Sequence, residues 1–162
     1  GLALARVRGD YDLLHRARYL QVFSSIFTHC CHCTWCQRET GSAFALNAMI
    51  ETENLQVSGA VEEVVIPSHS GKGQTIARCP TCKVALYSHY AGAGRLMAFV
   101  RVGTLNDPST CPPDIHIYTS TKLAWLVLDP SVPILPESYD RKAYWPQASL
   151  DRRLALLAKQ PR

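Results

Sequence analysis

The amino-acid sequence predicts a mainly β protein of antiparallel strands, finished by a helix near the C-terminus. Three observations carry that expectation: short apolar, β-prone runs recur along the chain, turn signals separate them, and helical periodicity is sustained only at the end. Residues 19–29, with Val22, Phe23, Ile26 and Phe27, form the first such run and lead directly into a cluster of cysteines. Residues 47–50, 55–57 and 61–66 follow, broken at Glu53-Asn54 and Ser58-Gly59. A polar, glycine-bearing loop spans residues 67–73, and residues 74–78 return the chain to the turn Cys79-Pro80-Thr81-Cys82. Residues 84–90, 96–102 and 115–118 complete the strands. With no helix alternating between them, they fit antiparallel sheets and not βαβ units. The final helix, roughly residues 149–159, would be capped by Ser149, with Leu150, Leu154, Leu157 and Ala158 sharing its buried face.

A chain of 162 residues suits one domain, 1–162, that needs no cross-links to bury a core. Its formal charge of +4 is spread over scattered Lys and Arg, so no nucleic-acid surface is expected. No apolar stretch approaches the roughly 20 residues that span a bilayer, so no membrane partner is expected. Residues 1–8 lack the apolar core of a secretory leader.

The cysteines say most about function. There are seven, an odd number, and four lie between Cys30 and Cys36 while two more form the pair Cys79 and Cys82. Such clustering fits metal ligands in a reducing compartment better than a disulfide framework, which makes the cytoplasm the expected location. In extended backbone alternate side chains share a face, so Cys31 and Cys33 point one way and Cys30 and His32 the other. A turn through Thr34 and Trp35 then brings Cys36 back to the first pair. Zinc takes four sulfur or nitrogen ligands, and three protein thiolates leave a fourth position for water or substrate. Spacing alone supports a second arrangement equally well: Cys33, Cys36, Cys79 and Cys82 as a closed four-sulfur site.

The segment Cys31-His32-Cys33-Thr34-Trp35-Cys36-Gln37-Arg38, followed by Gly41-Ser42, resembles the CHCxxCR…GS signature of the glutathione-dependent formaldehyde-activating (GFA) family, which includes centromere protein V. Arg78-Cys79-Pro80-Thr81-Cys82, Gly103-Thr104-Leu105, residues 113–116 and Trp125 resemble its later motifs, so the likeness spans roughly residues 9–140. The resemblance implies a β-tent fold of small packed antiparallel sheets and two zinc positions. Cys31, Cys33 and Cys36 would hold the catalytic zinc, and Cys79 and Cys82 would join an earlier CxC pair around a structural one. That earlier pair is absent, because no cysteine precedes Cys30; Asp10, Asp12 and His15 are the residues in its place with metal-binding side chains.

Several other residues have two readings. Arg38 could offset the charge of a tris-thiolate zinc or bind a substrate carboxylate, or simply be exposed. His32 is expected to be packed or hydrogen-bonded, with a proton shuttle as the alternative, and Cys30 to behave as a small buried hydrophobe. Cys111 has no evident role. Gly41-Ser42 is expected as a tight turn, Trp35 at the mouth of the site, and Trp125 and Trp145 in the core or an interface. The function this implies is a zinc-dependent carbon-sulfur lyase-type enzyme adding a thiol, such as glutathione, to formaldehyde or another small aldehyde. The alternative is a non-catalytic, zinc-stabilised binding module with one closed four-cysteine site; homo-oligomers are compatible with either.

Overall fold

The computed structural model describes the backbone of residues 4–8, 19–57 and 59–159, and the side chains of residues 24–57 and 59–159. Strands β1 (Leu4–Arg8), β2 (Tyr19–Phe23) and β5 (Leu55–Val57) form an antiparallel sheet in the order β1-β2-β5. The larger sheet contains β3 (Phe27–Cys31), β4 (Ala45–Glu51), β6 (Glu62–Ile66), β7 (Gln74–Arg78), β8 (Ala85–Tyr90), β9 (Met97–Arg101) and β10 (Ile115–Ile117). Its order is β10-β3-β4-β9-β8-β7-β6, antiparallel except where β10 lies parallel to β3. The expectation of antiparallel sheets with a C-terminal helix therefore holds. The strand series from residue 47 onward falls within a residue or two of the predicted bounds.

The first run does not stay whole. Residues 19–29 divide at Ser24 and Ser25 into β2 and β3, which belong to different sheets. At the break the Arg152 guanidinium donates to the carbonyls of Ser24 and Ser25, each at 3.1 Å, in place of a sheet partner.

The central strands are covered on both faces, so β4 is buried at six of its seven positions and reads as an apolar run with little alternation. Ala48 and Ile50 join Ala98, Val100, Tyr87 and Leu105 on one face. Met49 and Met97 meet Phe27, Ile115, Trp145 and Leu156 on the other. One pair further along the same face, β3 and β4 carry His29 opposite Asn47, and the candidate site lies there.

Helix α2 (Arg141–Tyr144) and helix α3 (Gln147–Leu157) close the second face. Helix α3 starts two residues before the predicted cap, with Pro146 at the N-cap position. Ser149 is instead buried and its hydroxyl donates to the Ile26 carbonyl at 2.6 Å. Trp145 stacks on Phe27, with ring centroids 5.3 Å apart, and so fixes how the helix is turned. Its buried stripe runs through Ser149 and Leu156, and Leu154, expected inside, is 63% exposed. Arg152 on this helix also donates through Nε to Glu51 at 2.8 Å, tying α3 to the end of β4.

Candidate metal centre

Cys31 is the last residue of β3, and two residues later Cys33 caps helix α1 (Thr34–Thr40) from extended backbone. The expected turn at Thr34 and Trp35 is thus the first turn of a helix. It brings the Cys36 amide to within 3.4 Å of the Cys33 sulfur, to which it donates. Gly41 ends the helix in left-handed backbone at φ 61°, a conformation that glycine adopts at little cost, in keeping with the expected tight turn. Gln37 braces the loop by donating to the carbonyls of His32 at 2.7 Å and Thr121 at 2.9 Å. The result is three buried sulfurs, those of Cys31, Cys33 and Cys36, all within 4.8 Å of one another.

The three thiols hydrogen-bond to one another. Hydrogen bonds from Cys31 and then Cys36, aided by backbone amides, outweigh burial and pull Cys33 well below the usual thiol range. Cys31 is pushed up, first by its bond to Cys33 and then by its bond to Cys36 and by burial. Cys36 is held down by its bond to Cys31, but its bond to Cys33, burial and the Cys33 charge outweigh this and carry it to about 12.

The Arg101 guanidinium also acts on Cys36 in favour of its thiolate. Arg101 is buried on β9, donates to the Asn47 side chain at 2.6 Å, and among the described residues has no hydrogen-bond partner for its Nε. A buried cation with one neutral partner is costly unless negative charge lies close by. A divalent zinc held by three thiolates carries one net negative charge, so both the donor set and the neighbouring cation fit that ion.

Cys31, Cys33 and Cys36 open onto a cavity of about 240 Å³. Sheet pairing explains its floor: His29 lies opposite Asn47 across β3 and β4, and Gln74 opposite Tyr90 across β7 and β8. Trp35 lines it, as does the loop carrying Ser68, His69 and Ser70. His69 packs on Tyr118, ring centroids 4.7 Å apart, and Tyr118 holds left-handed backbone at φ 55°. Burial, followed by the charge of Arg141, lowers His29 to about 4, so it is neutral near pH 7. Its Nε2 meets the Tyr139 hydroxyl, which accepts from Trp145 Nε1 at 2.6 Å. Among the described residues, no Lys or Arg lines the cavity.

The second cysteine pair stands apart. Cys79 is buried, Cys82 is exposed, and neither joins the three-sulfur group. The structure therefore does not bring the four sulfurs of the two CxxC turns together as one group. Asp10, Asp12 and His15 lie outside the described residues. Arg38 is exposed on α1 and does not line the cavity; the cation beside the thiols is Arg101. His32 is packed and hydrogen-bonded, and Cys30 is buried beside it. Trp145 is in the core, whereas Trp125 is 70% exposed and outside it. Cys111 packs at the edge of the first core cluster.

Sequence reasoning missed Arg101, Asn47, Tyr90, Tyr118 and His29. For His29 the signal was present, because the alternation that pairs Cys31 with Cys33 extends back to residue 29. The others depend on strand pairings between distant segments.

A family model described as glutathione-dependent formaldehyde-activating enzyme matches residues 17–121, well over half of the chain. No curated protein matches it. Among the described residues no helix is long and apolar enough to cross a membrane.

Proposed function

This chain belongs to the glutathione-dependent formaldehyde-activating family, and on that premise we propose that it is a zinc-dependent carbon-sulfur lyase-type enzyme, adding glutathione or a similar thiol to formaldehyde or another small aldehyde. The observation that carries the reading is the convergence of three buried cysteine sulfurs at the wall of a cavity.

Cys31, Cys33 and Cys36 are the proposed zinc ligands. Zinc bound there would stabilise an incoming thiol as its thiolate at neutral pH. Arg101 balances the charge of the ligand set, and Asn47 holds Arg101 in place. Trp35, Tyr90, Phe99 and Tyr118 wall the cavity with aromatic surface and limit the water around the reacting carbonyl. In the reaction the thiol sulfur bonds to the carbonyl carbon, and the carbonyl π pair moves to oxygen. The proton given up by the thiol ends on that oxygen, so the product is a hemithioacetal. The cavity volume suits a small aldehyde with the thiol end of its partner. Arg38, on the exposed side of α1, is the proposed contact for a carboxylate of that thiol outside the cavity. Cys79 and Cys82 are proposed, by family analogy, as part of a structural zinc site. Action on cytosolic glutathione would place the protein in the cytoplasm.

The test is consumption of formaldehyde in the presence of glutathione. The zinc-loaded protein is expected to accelerate it, a chelator to abolish the acceleration and added zinc to restore it. Absence of a chelator-sensitive rate with formaldehyde and with a panel of small aldehydes would contradict the reading.

A further inference from the structure

Backbone alternation sends Cys31 and Cys33 to the cavity, and it sends the intervening residues the other way. On that second face Cys30, His32 and His116 bring their sulfur and ring nitrogens to within 4.8 Å of one another. His116 arrives on β10, directly opposite Cys30 in the parallel pairing with β3. His32 Nε2 lies 3.0 Å from His116 Nδ1 and 3.5 Å from the Cys30 sulfur. All three side chains are buried, none more than 6% exposed.

We propose that Cys30, His32 and His116 form a second transition-metal site, of one thiolate and two imidazoles, separated from the cavity site by the backbone of β3 and its extension.

The donor geometry supports this. With zinc about 2.3 Å from sulfur and about 2.0–2.1 Å from nitrogen, tetrahedral ligands stand about 3.3–3.6 Å apart. The Cys30–His32 separation already lies in that range, and the ring pair needs to open by only a few tenths of an ångström. A histidine ligand is commonly oriented by a bond from its other nitrogen to a backbone carbonyl. Among the described residues the buried Nδ1 of His32 has no hydrogen-bond partner, so that orienting bond is not formed here. A simple hydrogen bond between the two rings accounts for one of the two short separations. The thiol that meets the same Nε2 has to share that nitrogen's single proton or lone pair with His116.

Charge supports it as well. A divalent ion with one thiolate and two neutral imidazoles carries one net positive charge. The proposed tris-thiolate zinc carries one net negative charge, so the two sites would compensate one another across the strand. The second site does not require the first to be filled.

Metal content of zinc-loaded, gel-filtered protein tests the inference. Cys30→Ser and His116→Gln should each lower the count by one zinc per chain, and the double variant should lose no more than either alone. Cys31→Ser should remove a different zinc, so that Cys31→Ser with His116→Gln loses two. Failure of the cavity site would appear only in the Cys31→Ser result. Folded Cys30→Ser and His116→Gln proteins that keep the wild-type count would overturn the inference. If circular dichroism shows that either variant does not fold, the wild-type protein decides: an anomalous-diffraction peak at the zinc edge between the three donors is expected, and no peak there overturns it.

Discussion

The two CxxC turns share one local geometry and differ in everything around it. In each, the amide of the second cysteine donates to the sulfur of the first at 3.4 Å: Cys36 to Cys33, and Cys82 to Cys79. The first turn opens a helix; the second closes through Lys83 in left-handed backbone at φ 63°, with the Lys83 amide returning to the Cys79 carbonyl at 2.9 Å. Two residues before Cys33 stands Cys31, whereas two residues before Cys79 stands Ala77, which is packed in the core. The first turn also faces a cavity and has a buried arginine beside it. A CxxC spacing therefore specifies a pair of sulfurs, and the preceding strand decides whether a third joins them.

The largest expected difference between the turns comes from removing that third sulfur. Cys31→Ser should abolish zinc binding in the cavity and return thiol-aldehyde addition to its background rate. Cys82→Ser should keep zinc at the cavity site and with it the chelator-sensitive addition activity, whatever becomes of the proposed structural zinc. Equal losses of that activity in the two variants would erase the distinction.

The next effect concerns the neighbouring cation. Arg101→Met should weaken zinc binding at the first turn by about 10–100-fold, the range found for residues that support metal ligands. Arg38→Met should leave zinc affinity unchanged and affect at most the KM for the thiol. Competition with a chromophoric chelator measures the first effect and steady-state kinetics the second.

The turns are also joined. Glu39 on α1 pairs with Arg78, the residue before Cys79, and Arg78 donates to the Lys83 carbonyl at 3.1 Å. Glu39→Gln should cost about 1 kcal/mol of stability, read by denaturant unfolding, with little change in zinc affinity.

One further variant should leave both turns alone. Burial raises Glu51, but its bonds and charge contact with Arg152 and its other hydrogen bonds overcome this and hold it below its usual value. A depressed carboxylate stabilises the fold above its unfolded value, near 4.5, and that contribution is lost as pH falls through the lower folded value. Arg152→Met should therefore lower stability by about 2 kcal/mol at neutral pH and reduce the loss of stability on acidification below pH 4.5. Unfolding curves across pH 3–7 measure both, with zinc affinity at pH 7 unchanged.

Much of this contrast is legible in the residues themselves. Alternation through Cys31, His32 and Cys33 assigns the faces correctly, and the strands of the large sheet follow their apolar runs. What escapes the sequence depends on contacts between distant segments. The parallel pairing that brings His116 to Cys30 crosses more than eighty residues. Arg101 becomes a neighbour of the thiols only because β9 pairs with β4. Arg38 is adjacent in sequence, but helix α1 turns it outward. The face of α3 is legible only in part: Leu150 packs against the core as periodicity expects and Leu157 is half-buried, but Leu154 and Ala158 are exposed and Ser149 and Leu156 are the buried positions.

The central claim is that Cys31, Cys33 and Cys36 hold one zinc and leave it open to the cavity. An anomalous-difference map at the zinc edge from crystals of the zinc-loaded protein tests it most directly. A peak is expected about 2.3 Å from each of the three sulfurs, with no fourth protein ligand and its free side facing the cavity. A peak bound by Cys33 and Cys36 together with Cys79 and Cys82, or no peak at the three sulfurs, would contradict it.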